Sequence, residues 1–178
     1  MKSIENIENI ENKRVILRLD LNVPIKNGKI TDSNRIDKVL PTLEFLLKKK
    51  AKIIIISHVG RPKGKVVKEL SLELVSLYIK SKIKKEVLLL KENIFNLNKE
   101  DIFKNSNDEL LLLENIRFYP EEEANDDKFS KKLASLGEIY VNDAFSCSHR
   151  DHASISKITK YIPSVSYTHL TLPTTPYV

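Results

Sequence analysis

The stretch Lys52-Ile-Ile-Ile-Ile-Ser-His-Val-Gly-Arg-Pro-Lys-Gly64 decides the fold. Its four consecutive isoleucines are typical of a strand that is buried on both faces, as in the middle of a parallel sheet. The chain then turns polar and brings His58, Arg61 and two glycines into a loop. Because ligands of open α/β sheets bind beyond the carboxyl ends of the strands, this layout predicts an anion site. A phosphorylated small molecule is the first hypothesis for its ligand.

Three more apolar runs end in polar residues in the same way. The four runs are 14–19, 53–56, 110–113 and 138–141, and the polar segments at their ends are 18–22, 57–61, 114–117 and 142–150. Random surface charge would fall equally at both ends of a sheet, so this recurrence indicates a shared site. Strand patterns alternate with helical ones, which predicts a three-layer, Rossmann-like α/β domain. Its mainly parallel sheet would have right-handed crossovers and be flanked by helices.

The segments between the strands carry helical spacing. Asp32-Ser33-Asn34 predicts a helix start, and Pro41 predicts a kink or break after the first turn or two of that helix. A second helix is predicted at about 71–80, and a third is followed by Gly137, a favourable residue just past a helix end. The acidic run 121–127 is predicted to be exposed.

Composition bounds the possible partners. The 178 residues suffice for one domain with a hydrophobic core. A net charge of +6 and a pI of about 9.2 favour an anionic partner, but they do not choose among phosphate metabolites, nucleic acid and membrane surfaces. Six tyrosines, six phenylalanines and no tryptophan make a poor stacking platform for single-stranded nucleic acid. Cys147 is the single cysteine, so neither a disulfide framework nor a cysteine metal cluster is expected.

The sequence shows no membrane or export signal. No apolar run approaches the roughly 20 residues that a membrane span needs. The N-terminus repeats Ile-Glu-Asn, unlike the apolar core of a signal peptide. We therefore expect a soluble, cytoplasmic protein that has no membrane partner.

Candidate binding groups are concentrated at the predicted strand ends. The arginines are Arg18, Arg35, Arg61, Arg117 and Arg150. Guanidinium groups bind phosphate and carboxylate oxygens in pairs, so this set could hold a substrate with two or more negative groups. Asp20 and Asn22 suit a hydroxyl, and His58, His149 and His152 could donate to phosphate. No histidine pair has the one-turn spacing of a helical zinc site, and His149-x-x-His152 lacks an accompanying carboxylate motif, so no metal site is expected.

Nucleotide-binding motifs are missing from the sequence. Residues 60–66 superficially resemble a phosphate-binding loop, but there is one residue too few between the glycines and no Ser or Thr after the lysine. A Gly-x-Gly-x-x-Gly motif cannot be built from the four glycines of this chain. The sequence therefore predicts an anion site without an ATP or NAD pocket.

Five motifs, in order and with natural spacing over roughly residues 2–165, resemble the amino-terminal domain of phosphoglycerate kinase. They are residues 14–24, residues 32–36 with 41–42, residues 57–64, residues 113–118 with 121–123, and residues 140–145 with 149–154. The resemblance implies a monomeric glycolytic enzyme that transfers a phosphoryl group between 1,3-bisphosphoglycerate and ADP, giving 3-phosphoglycerate and ATP. It also implies two Rossmann-like lobes, of which the amino-terminal lobe binds the glycerate and the carboxy-terminal lobe binds Mg-ATP or Mg-ADP.

The same resemblance implies roles for individual residues. Asp20 and Asn22 would hold the hydroxyl region of the substrate. The 3-phosphate would be held by His58, Arg61, Arg117 and Arg150, with Arg18 assisting. Arg35 would lie beside the transferring acyl phosphate and stabilise its charge, since phosphoryl transfer depends mostly on positioning and electrostatic stabilisation.

The chain departs from the family pattern near one of these residues. The family often has glycine after Asp-Ala-Phe, whereas Ser146-Cys147-Ser148 follows here. This change predicts a shift of the loop that carries Arg150. Asp151, next to that arginine, is predicted to weaken its hold on phosphate.

The end of the chain departs further. We assign residues 1–165 to the substrate-binding domain and expect the carboxy-terminal nucleotide-binding domain to be absent. Residues 166–178 resemble nothing in the family, and Val165–Thr174 resembles a translated sequencing-library adapter. We interpret the tail as an artefact and expect the fragment to be inactive alone, because the Mg-ATP site would lie in the missing domain.

The alternative function is a non-catalytic, basic module that binds anions or nucleic acid. Such a module predicts basic residues spread along one face and a steep dependence of binding on salt. The arginines instead cluster at predicted strand ends, while the lysines fall mostly on predicted helix surfaces. No nucleic-acid partner is therefore expected.

Overall fold

The computed structural model describes residues 9–103 and 110–166, and residues 1–8, 104–109 and 167–178 lie outside the described part, including nearly all of the proposed artefactual tail. The strands are β1 (Arg14–Leu19), β2 (Ile25–Lys26), β3 (Lys29–Ile30), β4 (Lys52–Ile56), β5 (Leu88–Leu90), β6 (Leu110–Leu113), β7 (Ile139–Asp143) and β8 (Ser164–Ser166). Six of them form one parallel sheet in the order β5-β6-β4-β1-β7-β8. β2 and β3 form a separate antiparallel hairpin.

The middle of the sheet is the predicted isoleucine strand. Ile53–Ile56 of β4 are each 0% exposed, and β4 lies between β1 and β6. β1 and β4 are in register from Arg14 beside Lys52 to Arg18 beside Ile56. Parallel strands in this register end together, so the polar segments after β1 and β4 leave the sheet at the same edge.

Helices cover both faces of the sheet. They are α1 (Asn34–Lys48), α2 (Glu73–Ile83), α3 (Pro120–Glu123) and α4 (Asp127–Ser135). Successive strand residues point to opposite faces. α1 and α2 pack with Val15 on one face, whereas α4 and the 3-10 turn at Lys157–Lys160 pack with Ile16 on the other. The predicted three-layer, Rossmann-like α/β fold is confirmed.

None of the described helices combines the length and the apolar character that crossing a lipid bilayer requires.

Pro41 does not break its helix, so the predicted break is wrong. α1 runs without interruption from Asn34 to Lys48. A proline inside a helix removes one backbone hydrogen bond. Val39 before it and Leu43 after it are both buried in the same core, and this burial holds the two parts of the helix against the sheet.

The helix starts differ in their chemistry. Ser33 precedes α1, but its hydroxyl donates to Asp37 Oδ2 at 2.8 Å rather than capping the backbone. Asp126 caps α4, since its Oδ1 accepts from the Phe129 N–H at 2.8 Å. α2 begins at Glu73, two residues later than predicted, after a 3-10 turn at Lys68–Leu70.

Gly137 follows α4 for a reason that the sequence did not indicate. Its φ is not positive, so it does not serve as a left-handed helix cap. A Cβ at this position would lie 2.6 Å from Ile16 Cγ1 and 3.3 Å from the Arg14 carbonyl oxygen. Because glycine has no side chain, the backbone at Gly137 can pass close to β1.

The acidic run 121–127 is not uniformly exposed, which corrects a second prediction. Glu122 is 0% exposed, while Glu123 on the same turn is exposed. The run is acidic throughout, so its composition does not separate the buried carboxylate from its neighbours.

Candidate anion-binding site

Hydrogen bonds join the polar segments after β1, β4 and β6 at the carboxyl edge of the sheet. The Gly60 N–H donates to Asn22 Oδ1 at 2.9 Å. The Ile116 N–H donates to the Ser57 carbonyl at 3.0 Å, and Arg117 Nη1 donates to the Gly60 carbonyl at 3.3 Å. These bonds bring the three segments to one crevice.

Two glycines shape the loop after β4. Gly60 and Gly64 have φ values of +65° and +71°, a region that disfavours residues with a Cβ. A Cβ at Gly64 would also lie 2.8 Å from Pro120 Cβ. The Gly64 N–H donates to the Arg117 carbonyl at 3.1 Å, so the loop folds back onto the segment after β6.

Asn115 is a scaffold residue to which the sequence reasoning gave no role. It is 0% exposed, and its Nδ2 donates to the carbonyls of Val59 at 2.8 Å and Leu70 at 2.9 Å. Its Oδ1 accepts from the Arg117 N–H at 3.1 Å. Asn115 thereby ties the loop after β4 to the turn that carries Arg117. The one sequence feature that could have indicated this role is the position of Asn115 just after the buried four-leucine run.

Asp20 collects donors from three elements. Its Oδ2 accepts from Arg35 Nη1 at 2.7 Å, and half of the Arg35 side chain (51%) stays exposed. The Ser146 hydroxyl donates to the same oxygen. Oδ1 accepts from the Asn22 N–H at 3.2 Å. The end of β1, the first turn of α1 and the segment after β7 therefore meet at this carboxylate.

Arg18 lies beneath the crevice, with 0% of its surface exposed. Its Nε donates to Ser154 Oγ at 3.1 Å, and its Nη1 donates to the Leu19 carbonyl at 2.6 Å. Its Nη2 lies 3.1 Å from His58 Nδ1. The guanidinium is thus held by protein groups on several sides.

His58 is uncharged at neutral pH. It is 2% exposed, and burial lowers its pKa to about 2, helped by the nearby charges of Arg18, Arg117 and Arg150. A guanidinium has no acceptor, so His58 Nδ1 accepts from Arg18 and the ring proton resides on Nε2. His58 can therefore offer an Nε2–H donor to a ligand.

Arg117 and Arg150 lie near His58, whereas no hydrogen bond or ion pair among the described residues ties Arg61 to them. Arg117 is 3% exposed, burial lowers its pKa, and its Nε has no hydrogen-bond partner within the described residues. Arg150 is exposed, yet its charge lowers the pKa values of both His58 and Arg117, so it lies near both of them. Arg61 is exposed, and in the described part of the chain its side chain has no hydrogen bond or ion pair.

The other two candidate histidines differ in environment. His149 is exposed. His152 Nδ1 lies 4.0 Å from Glu122 Oε1, and burial lowers the pKa of His152, as does the charge of Arg117. Of these two, His152 is the one that is partly buried and lies beside Glu122.

The crevice does not fit a Mg-nucleotide. Among residues 9–103 and 110–166, no group of three or more His, Cys, Asp or Glu side chains is placed to hold a metal ion. Mg²⁺ prefers carboxylate and carbonyl oxygens, whereas this crevice presents guanidinium groups and one carboxylate that is already paired with Arg35. Its donors suit an organic anion.

The comparisons with known proteins agree on one family. The family model described as phosphoglycerate kinase matches residues 4–170. The chain is 49% identical over 166 residues to a phosphoglycerate kinase of Wolbachia pipientis subsp. Culex pipiens (strain wPip), covering 92% of this chain and 42% of the relative. It is 48% identical over 159 residues to a phosphoglycerate kinase of Dictyoglomus turgidum, covering 89% and 40%.

Solved structures give the same result. A phosphoglycerate kinase structure from Coxiella burnetii has a TM-score of 0.82 and 37% identity, covering 93% of this chain and 41% of that one. The enzyme structure from Pyrococcus horikoshii has a TM-score of 0.80 and 30% identity, covering 94% and 42%. The chain thus spans about two fifths of the length of the relatives that it matches. Since the family model extends over almost all of it, the chain belongs to the phosphoglycerate kinase family.

Proposed function

We propose that residues 1–165 form the lobe of a phosphoglycerate kinase that binds 3-phosphoglycerate and 1,3-bisphosphoglycerate. The observation that carries the proposal is the grouping of a neutral His58 with Arg117 and Arg150, at the edge where Asp20 and Asn22 also lie. Three donors beside a carboxylate and an amide match a small molecule that carries both phosphate and hydroxyl groups.

The 3-phosphate is assigned to the donors of this group. Arg117 supports the assignment because its buried Nε lacks a partner within the described residues, and a phosphate oxygen would supply the missing acceptor. His58 would donate from Nε2, and Arg150 and Arg61 would add charge from the rim. Arg18 assists through its bond to His58, since its own guanidinium is enclosed.

Asp20 and Arg35 are assigned to the other end of the substrate. The Asp20 carboxylate would accept from the substrate hydroxyl, and Asn22 would support it from the loop after β1. Arg35 is half exposed while paired with Asp20, so its guanidinium remains within reach of a ligand. At that place it would stabilise charge on the transferring acyl phosphate.

The phosphoryl transfer itself needs a second binding site. We assign Mg-ATP or Mg-ADP to the part of the family's length that this chain does not span. The residues of the crevice would bind, orient and neutralise the glycerate, and they take no covalent role in the transfer. The family's part in glycolysis also leads us to propose a cytoplasmic monomer.

Calorimetric titration of the 178-residue chain with 3-phosphoglycerate tests the proposal. We expect saturable binding at one site. Arg117→Ala should weaken it by about ten- to hundredfold, because hydrogen bonds between charged groups contribute about 1.5–3 kcal/mol each. Arg35→Ala should also weaken it, and Lys38→Ala, an exposed basic residue on the same helix as Arg35, should not.

Two other results of these titrations would count against a glycerate-binding crevice. If Arg117→Ala and Lys38→Ala bind equally, the crevice is not the binding site. If the chain instead binds nucleic acid with a steep dependence on salt, the basic-module alternative is correct. The grouping of the arginine charges around one crevice favours the first outcome.

A further inference from the structure

A buried network of polar groups lies behind the crevice, and the proposed function gives two of its members, Glu122 and Ser154, no role. Glu122, Ser154 and Arg18 are each 0% exposed. Glu122 Oε1 accepts from the Ser154 hydroxyl at 2.6 Å, and Oε2 accepts from the Ser154 N–H at 2.9 Å. Arg18 Nε lies 3.1 Å from the same hydroxyl oxygen. One serine therefore links a buried carboxylate to a buried guanidinium.

On one side of Arg18 the donors run from Arg18 through Ser154 to Glu122. Arg18 can only donate, so Ser154 Oγ accepts from Arg18 Nε. The single proton of the hydroxyl is then given to Glu122, whose ionised carboxylate accepts both bonds from Ser154. Burial raises the pKa of Glu122, but the charge of Arg18 and the two Ser154 bonds oppose that rise. A proton on Glu122 Oε1 would have to occupy the space between Oε1 and Ser154 Oγ that the serine proton already fills. The geometry therefore fits the ionised form of Glu122.

Arg18 also donates on its other side, to His58. Arg18 Nη2 donates to His58 Nδ1 at 3.1 Å, while Nη1 is held by the Leu19 carbonyl at 2.6 Å. With Nδ1 used as an acceptor, the proton of the neutral ring must be on Nε2. The spatial order of the network is thus Glu122, Ser154, Arg18, His58, with Arg18 donating toward both ends and the His58 Nε2–H as its last donor.

The serine itself is fixed from several sides. The Ala153 N–H donates to the Glu122 carbonyl at 2.9 Å, and the Tyr140 hydroxyl donates to the Ser154 carbonyl at 2.7 Å. These bonds hold residues 153 and 154 against α3 and β7. Because Ser154 has little freedom to move, its hydroxyl can set the position of the Arg18 guanidinium.

We propose that Glu122 and Ser154 are positioning residues that hold Arg18 so that Arg18 keeps His58 as an Nε2–H donor toward the substrate phosphate. The identity of the ligand rests on the proposed function. The tautomer of His58 does not, because it is a property of the ligand-free protein.

The test is a long-range ¹H–¹⁵N correlation spectrum of the histidine rings in the ligand-free, 178-residue chain at pH 7. Wild type should show His58 neutral and with its proton on Nε2 alone. Ser154→Ala removes the acceptor of Arg18 Nε, so a measurable fraction of the Nδ1–H form should appear. Glu122→Gln, which offers one acceptor oxygen in place of two, should act in the same direction.

Ser130→Ala is the matched control. Ser130 is also 0% exposed, and its hydroxyl bonds to the carbonyls of Asp126 and Ala153, but it has no bond to Arg18. It should lower stability without changing the His58 tautomer. In a parallel titration, Ser154→Ala should weaken 3-phosphoglycerate binding by about tenfold, and Ser130→Ala should leave it unchanged.

The possible results are distinct. A charged His58, or a proton on Nδ1 in wild type, overturns the proposal without any variant. An unchanged tautomer in Ser154→Ala or Glu122→Gln, whichever folds, overturns it as well. If the tautomer behaves as expected but 3-phosphoglycerate does not bind to wild type, the proposed ligand is wrong while the positioning role stands.

Discussion

His58 shows how one residue can couple the site to stability. Its ring is almost fully buried beside Arg18, and its pKa is lowered to about 2 in the folded protein, mainly by burial. In the unfolded chain an ordinary histidine has a pKa of about 6.5. Below pH 6.5 the unfolded chain therefore takes up a proton that the folded protein does not. Stability linked to His58 is fully present above pH 6.5 and falls as the pH drops toward 2.

A variant should reveal this linkage. Between pH 7 and pH 5, proton uptake at this one residue should cost about 2 kcal/mol of unfolding free energy. His58→Gln cannot take up that proton, so its stability should fall by about 2 kcal/mol less than wild type over the same range. Urea unfolding at pH 7, 6 and 5 measures the difference. Lys38→Gln, an exposed substitution, is the control, and identical pH profiles for wild type and His58→Gln would show that His58 is not buried as described.

At the scale of elements, the junction between α4 and β7 requires a glycine, Gly137, because there is no room for a side chain. Gly137→Ala would place a Cβ 2.6 Å from Ile16 Cγ1, in a core with little room to adjust. We expect a loss of about 1–3 kcal/mol in the unfolding free energy, measured by urea unfolding. Because this loss would come from a clash with Ile16, its size should depend on the side chain at position 16.

A double-mutant comparison separates this steric effect from backbone strain. Gly28 has a φ of +69°, and no atom of the described residues lies within 4 Å of its ideal Cβ, so Gly28→Ala should act through the backbone alone. Ile16→Ala combined with Gly137→Ala should cost less than the sum of the two single losses, whereas Ile16→Ala and Gly28→Ala should add. Additive losses in both pairs would contradict a contact between Gly137 and Ile16.

The elements that could be predicted are those with a strong local pattern. The isoleucine and leucine runs predicted β4 and β6, since continuous apolar runs bounded by polar loops are typical of buried parallel strands. β8 was not predicted, because residues 161–166 show no periodicity and the strand depends on its pairing with β7. The continuity of α1 through Pro41 likewise depends on tertiary packing, which local propensity does not contain.

The site, like the fold, was predictable only where the sequence carries a local pattern. Polar residues at several strand ends indicated a shared crevice, and the structure joins the segments after β1, β4 and β6 there. The buried support was not predictable, because Glu122 lies in an acidic run and Ser154 has no distinguishing neighbour. Which member of a polar run turns inward is decided by the position of Arg18, more than a hundred residues away in the chain from either partner.

At the scale of the whole molecule, binding and catalysis should separate. The chain spans about two fifths of the length of its relatives, and the crevice proposed to bind a glycerate does not fit a Mg-nucleotide within the described residues. We expect the 178-residue chain to bind 3-phosphoglycerate and to form no 1,3-bisphosphoglycerate from it with Mg-ATP. A coupled assay of phosphoryl transfer measures this, with a full-length relative as the positive control. Turnover by the chain alone would show that it holds a nucleotide site.

The hydrogen bonds that join the loops of the crevice have a consequence for the order in which the protein opens. Loop amides commonly exchange with solvent through small local openings. The amides of Gly64 and Ile116 instead each donate to a backbone carbonyl on another segment, so neither can be released without separating two segments. We expect both to exchange in deuterated water as slowly as amides of β4, through global unfolding, in a hydrogen-exchange experiment. Much of the entropy of arranging the crevice would then be lost during folding, before any ligand arrives.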